Sequence, residues 1–135
     1  MRHGYEVFGT DVATKQQQTA RKMGVNVVPD IASLCSQAKV ILLSLPMAKH
    51  VSEVISGKGG IIEHAQKKTL IIDTSTSEPE VTRSLAVLLE PTGHQLLDCP
   101  VRGGPAGAIA GPMQMSVGGE VGPFKRDARD FHLLY

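Results

Sequence analysis

Four short runs in this sequence gather residue types that can do chemistry. Asp73-Thr74-Ser75-Thr76-Ser77 sets four consecutive hydroxyls behind a carboxylate. Hydroxyls beside a helix N-terminus offer donors at the positive end of the helix dipole, a place that suits an anion. Capping alone would explain Ser77 but not the rest of the run. In Asp98-Cys99-Pro100-Val101-Arg102-Gly103-Gly104-Pro105, Arg102 can grip a carboxylate with two parallel hydrogen bonds. The paired glycines let a ligand approach the backbone closely. The plainer reading of that run is a tight turn carrying an exposed arginine. Asp11 follows Gly9-Thr10 at the end of an apolar stretch. A carboxylate there can accept both hydroxyls of an adenosine ribose, which selects NAD over NADP. Val12 stands where a reader of a 2′-phosphate would want arginine, and capping the next helix is a compatible role for Asp11. Leu45-Pro46-Met47 ends the most apolar stretch, where proline halts a ladder and leaves an apolar wall or a plain turn.

Other chemistries find little support. Cys35 and Cys99 lie far apart and belong to no paired Cys or Cys/His motif, so they read as buried thiols in a reducing cytoplasm. His3, His50, His64, His94 and His132 show no ligand spacing and read as surface or capping residues; no metal is expected. Fourteen basic against thirteen acidic residues leave a net charge of +1, too little to draw in nucleic acid or an anionic membrane. Aromatic residues are 4% of the chain and tryptophan is absent, so a base-stacking surface is not expected. No apolar run approaches the roughly 18 residues that span a bilayer, and the start has no apolar signal core.

The elements that position these runs alternate between strand and helix. The pattern predicts strands over Tyr5 to Asp11, Val25–Val28, Lys39 to Leu45, Thr69 to Asp73, Gln95 to Asp98 and Met113 to Val117. It predicts helices over Thr14 to Met23 with Gly24 as C′ residue, Ile31 to Gln37 capped by Asp30, Met47 to Ile55, and Ile61–Gln66. Ser77-Glu78-Pro79-Glu80 reads as a capping box. It opens a helix whose apolar face is Val81, Leu85, Leu88 and Leu89. Continuously apolar strands imply a parallel sheet covered on both faces, hence an α/β chain of 135 residues forming one domain. In such sheets ligands sit just past the carboxyl ends of the strands, where all four runs fall.

Taken together, Asp73 to Pro79, Leu97 to Gly104, Gly107-Ala108 with Gly111, and Met115-Ser116-Val117-Gly118-Gly119 resemble the β-hydroxyacid dehydrogenases. These are 3-hydroxyisobutyrate dehydrogenase-like enzymes related to 6-phosphogluconate dehydrogenase. The resemblance covers about residues 3–125 and adds Gly4-Tyr5-Glu6-Val7 as the family's second strand and Leu45-Pro46 as its fourth-strand exit. It implies a Rossmann-type doubly wound parallel sheet and a partial NAD(P)-binding domain over residues 1–135. It implies NAD, with NADP the weaker expectation, and a small 3-hydroxy acid as substrate. By position, Asp11 would meet the adenosine ribose, Leu45 and Pro46 would line the dinucleotide, and Thr76 would lie near the nicotinamide ribose. Arg102, Gly103 and Gly104 would face the substrate.

The chain departs from that pattern in three places. The glycine-rich pyrophosphate loop belongs about 20 residues before the ribose-binding acid, and no G-x-G-x-x-G occurs in the chain. The family's first strand, central in the order 3-2-1-4-5-6, would be lost with it. The proton-transfer lysine and the helical domain that completes the cleft and the homo-oligomer lie beyond Tyr135, so no catalytic residue is assigned; Lys125 falls too early for that role. Position 102 is Arg, where the family usually has Ser meeting the substrate carboxylate. The expectation is a fragment of a dehydrogenase, inactive alone and marginally stable. The alternative is a truncated, non-catalytic nucleotide-binding or interaction module. Another Rossmann nucleotide binder, such as a methyltransferase, is disfavoured by the matched blocks.

Overall fold

The structure is a computed structural model describing residues 4–66, 68–110 and 114–119. Strand β1 is Phe8–Gly9 and helix α1 is Thr14–Lys22. Helix α1 ends at Met23, and Gly24 takes a left-handed φ of 88° that a side chain would resist. Strand β2 (Asn26–Val27) leads to helix α2 (Ile31–Gln37). Asp30 caps α2 as expected, its carboxylate accepting the Ser33 N–H at 2.7 Å. The Ser33 side chain, and then this Ser33 N–H, hold the Asp30 carboxyl below its ordinary range.

Strand β3 (Val40–Leu43) is followed by α3 (Ala48–Ser56) and the short α4 (Ile61–His64). Strand β4 (Leu70–Asp73), α5 (Pro79–Leu89), a 3₁₀ turn at Glu90–Thr92 and β5 (Gln95–Asp98) complete the main alternation. Two elements were not anticipated: β6 (Val101–Arg102) and α6 (Gly104–Ala110). Strand β6 pairs antiparallel with β7 (Gln114–Met115). The expectations at Gly111, Met113, Lys125, His3 and His132 lie outside the described residues.

Two parallel pieces make up the main sheet. Strand β1 pairs with β2, while β3, β4 and β5 form a separate three-stranded sheet. Helix α2 joins the pieces. It packs on β1, and its Cys35 is buried in one cluster with Ile41, Leu43, Ile71, Val51, Ile55 and Leu89. The opposite face of β4 and β5 contributes Leu70, Ile72 and Leu97 to a second cluster with Cys99, against which Met115 packs.

Two expectations about packing change. Strand β4 is buried at every position, as a parallel strand with helices on both sides should be, but β3 alternates. Val40 and Leu42 are 41% and 47% exposed because β3 is an edge and nothing described covers that face. In α5, Leu85 and Leu89 are buried and Val81 is half-buried, but Leu88 is 49% exposed. Its position lies on the rim of a shallow groove between α3 and α5, lined also by Ser52, Ser56 and Ser84.

Candidate functional site

The carboxyl ends of β3, β4 and β5 are tied into one polar network by the Asp73–Ser77 run. Thr74 donates both its N–H (2.9 Å) and its hydroxyl (2.7 Å) to the Leu43 carbonyl. The Leu45 N–H donates to the Ser75 hydroxyl at 2.9 Å. The Asp73 carboxylate, 1% exposed, accepts the Ser75 N–H and the Ser77 hydroxyl, each at 2.9 Å. A buried carboxylate is tolerable only with such donors. The Asp73 carbonyl accepts the Cys99 N–H at 2.7 Å, which brings in the exit of β5. Asp98 and Gly118 exchange backbone hydrogen bonds of 2.9 and 2.7 Å, fixing the return of the chain beside β5.

This wiring sorts the hydroxyls. Thr74, Ser75 and Ser77 are spent on the protein, whereas Thr76 is exposed and its hydroxyl has no partner among the described residues. Thr76 is therefore the member of the run available to a ligand. Ser77 does not cap α5: the N-cap is Glu78, with no side-chain cap bond, so the expected capping box does not form. The Ser77 hydroxyl instead donates to the Asp73 carboxylate, one position before the N-cap.

Burial shapes the titrating groups. The Cys99 thiol is pushed up to about 12, by burial first and then by the Asp98 and Asp73 carboxylates. The Asp98 carboxyl is raised by burial and by Asp73, its register partner on β4. Burial alone raises Cys35. Both cysteines are fully buried free thiols, as expected. His94, expected at the surface or in a cap, is 7% exposed with an unpartnered buried Nδ1, and burial lowers its basicity.

The candidate residues fall into two groups. Leu45 belongs to the network through its N–H, and Pro46 and Thr76 adjoin it in sequence next to Leu45 and Ser75; Leu45 is half-buried and Pro46 exposed. Arg102 ends β6, three residues beyond Cys99, and Gly103 and Gly104 follow it. The Arg102 side chain is exposed and makes no ion pair among the described residues. Gly103 and Gly104 have φ of 118° and 55°, backbone that favours glycine, and a Cβ on Gly103 would meet the Gly107 backbone at 3.3 Å. Asp11 lies apart, on the β1–β2 piece. One carboxylate oxygen accepts the Ala13 N–H at 2.7 Å, closing a turn ahead of α1; the N-cap is Ala13 with no side-chain bond, so Asp11 does not cap the helix, and its other oxygen makes no hydrogen bond among the described residues. Residue reasoning missed Asp73 and Ser75 as the organisers of the site. Ser75 and Leu45 are 30 positions apart, so no local spacing announces their bond.

These features fit part of a dinucleotide. A free carboxylate oxygen, an apolar wall and a free hydroxyl suit its riboses and rings. None of the helices that follow the parallel strands β1 to β4 opens on a glycine-rich turn: α1, α2, α3 and α5 start behind Ala13, Asp30, Met47 and Glu78. Only α6, after the antiparallel β6, opens on Gly103-Gly104 among the described helices that follow a strand.

A parallel α/β sheet with its polar network and its free groups at the strand exits defines a nucleotide-binding class of protein. The chain belongs to the family of the NAD binding domain of 6-phosphogluconate dehydrogenase, whose pattern matches residues 1–131. It is 38% identical over 127 residues to an uncharacterised oxidoreductase of Synechocystis, covering 93% of this chain and 44% of that protein. It is 34% identical over 119 residues to human mitochondrial 3-hydroxyisobutyrate dehydrogenase, covering 88% of this chain and 35% of that one. Its fold superposes on Mycobacterium tuberculosis 3-hydroxyisobutyrate dehydrogenase with L-serine at a TM-score of 0.84 and 31% identity, covering 92% of this chain and 42% of the other. The chain thus spans less than half the length of these relatives. Among the described residues no helix is long and apolar enough to cross a membrane.

Proposed function

We propose that this chain is the NAD-binding portion of an oxidoreductase that interconverts a small 3-hydroxy acid and its semialdehyde or keto acid. The observation that carries the reading is the strand-end network, which commits three hydroxyls to the fold and leaves free that of Thr76, next in sequence to the Ser75 that binds the Leu45 N–H. In this reading Asp11 binds the adenosine ribose and sets the preference for NAD over NADP. Leu45 and Pro46 form the apolar wall of the dinucleotide site, and Thr76 binds the nicotinamide ribose. Arg102 receives the carboxylate of the acid, with Gly103 and Gly104 giving it close access to the backbone. When bound, the nicotinamide supplies the acceptor for the substrate's hydride. Two buried, unpaired thiols support a reducing compartment such as the cytoplasm.

The described strand-end residues bind and orient; they are poorly placed to move a proton. Both Asp73 oxygens are engaged, and the Cys99 thiol is buried and pushed up to about 12. General acid–base catalysis typically contributes about 10²–10⁴-fold. The 135-residue chain is therefore expected to bind NAD without turning over. Calorimetric titration with NAD and NADP, beside an absorbance assay with 3-hydroxyisobutyrate, tests this reading. Tighter binding of NAD and no turnover above the blank are expected; tighter NADP binding, or turnover by the chain alone, would overturn it.

A further inference from the structure

The stretch that carries Asp11 has little packing to hold it. Strand β1 ends at Gly9 and α1 begins at Thr14, so residues 10–13 belong to no strand or helix. Val12 is fully exposed and α1 buries no residue, so apolar contacts do not fix the turn. Among the described residues, two hydrogen bonds fasten Asp11. The Ala13 N–H donates to one carboxylate oxygen at 2.7 Å, an Asx-turn. The Gln17 side-chain amide, one turn into α1, donates through Nε2 to the Asp11 carbonyl, also at 2.7 Å.

Gln17 differs from the glutamines on either side of it. Gln16 and Gln18 are exposed, whereas Gln17 is half-buried with its amide turned back over the start of its own helix. Its bond does a different job from the Asx-turn. The Asx-turn engages one oxygen of the Asp11 side chain. The Gln17 bond pins the backbone of the same residue to α1. A backbone held in this way limits where the side chain can point, and so aims the second carboxylate oxygen, which makes no hydrogen bond among the described residues. Aiming a group before its ligand arrives removes part of the ordering cost of binding.

We infer that Gln17 is a positioning residue for the Asp11 carboxylate and, through it, for the choice between NAD and NADP. This inference rests on the reading of Asp11 as the acid that meets the adenosine ribose. Such an acid discriminates in two ways. It accepts hydrogen bonds from the ribose hydroxyls, which are short-ranged and directional. It also repels a 2′-phosphate by charge, which acts at longer range and survives a small displacement. Loosening Asp11 removes the first effect and leaves the second. Loss of the Gln17 amide should therefore weaken NAD and leave NADP nearly unchanged. A role in the stability of the β1–β2 piece alone would weaken both cofactors alike, since they share every other contact.

Calorimetric titration of the full chain with NAD and with NADP tests this in wild type, Gln17→Ala, Gln17→Met and Asp11→Ala. Methionine keeps the length and helix propensity of glutamine but has no N–H to donate, so it guards against a loss that comes from the helix itself. Both Gln17 variants are expected to weaken NAD by about fivefold or more and to change NADP by less than about twofold. Gln16→Ala, at the exposed neighbour, should bind both cofactors as wild type does. Asp11→Ala, which removes the repulsion as well, should weaken NAD and tighten NADP. If Asp11→Ala loses the preference while the Gln17 variants weaken both cofactors equally, or neither, this inference alone is overturned. A wild type that binds neither cofactor, or an Asp11→Ala chain that keeps the preference, would overturn the reading of Asp11 and this inference with it.

Discussion

The two pieces of the main sheet are built from the same alternation of strand and helix, yet they are held in different ways. In the β3–β4–β5 piece, three four-residue strands bury Ile41, Leu43, Ile71, Ile72 and Leu97, and their exits are cross-linked through Asp73 and Ser75. The β1–β2 piece consists of two-residue strands, and its helix α1, Thr-Lys-Gln-Gln-Gln-Thr-Ala-Arg-Lys, buries no residue. The difference follows from neighbours. A strand flanked on both sides, like β4, is covered on both faces, whereas β1 and β3 each pair on one edge only among the described strands. Any ligand that bridges Asp11 and Thr76 must therefore bridge a weakly held piece and a firmly held one.

Substitutions should separate the pieces. Ile71→Ala, at a fully buried site in the central strand, should cost about 2–5 kcal/mol in denaturant unfolding. Gln16→Ala in α1 should stay within about 0.5 kcal/mol. Equal costs would erase the contrast. Asp73→Ala leaves the Ser75 N–H and Ser77 hydroxyl unpaired and should cost about 1–3 kcal/mol. Ser75→Ala orphans the Leu45 N–H and should cost about 1 kcal/mol, with faster exchange of the Leu45 amide. Thr76→Val, by contrast, should leave stability unchanged and weaken NAD binding.

A smaller effect belongs to pH. Burial lowers the basicity of His94 below its ordinary value of 6.5, so the unfolded chain takes up the proton more readily than the folded one. The stability from neutral His94 is present above pH 6.5 and declines as pH falls from there through the folded value. Thermal unfolding midpoints between pH 7.5 and 5 should fall in wild type and fall less in His94→Leu; identical profiles would remove His94 as a cause.

Much of this architecture was legible because local chemistry agreed with the fold. Asp30 ahead of an apolar-faced segment caps α2, Gly24 closes α1, and Gln95 to Asp98 forms a strand over the expected residues. What escaped depends on distant partners. Ser77 looked like a cap but donates to Asp73, while the helix starts one residue later behind Glu78. Leu88 matched the apolar face of α5 yet lies on an open groove, and His94 is buried by packing that no spacing records. Strand β6 and helix α6 are written in a glycine- and alanine-rich run with little periodicity, which reads as a turn. The candidate site was legible as residue types at strand ends, and the division between structural and free hydroxyls was not.

The most direct test is an NMR titration of the chain with NADH, following backbone amides. Shifts are expected to cluster at Asp11, Leu45 to Met47, Thr76 and Ser77, and Arg102 to Gly104, and to shrink in Thr76→Val. Shifts centred on the Ser52, Ser84 and Leu88 groove, or none at saturating NADH, would contradict a cofactor site at the strand exits.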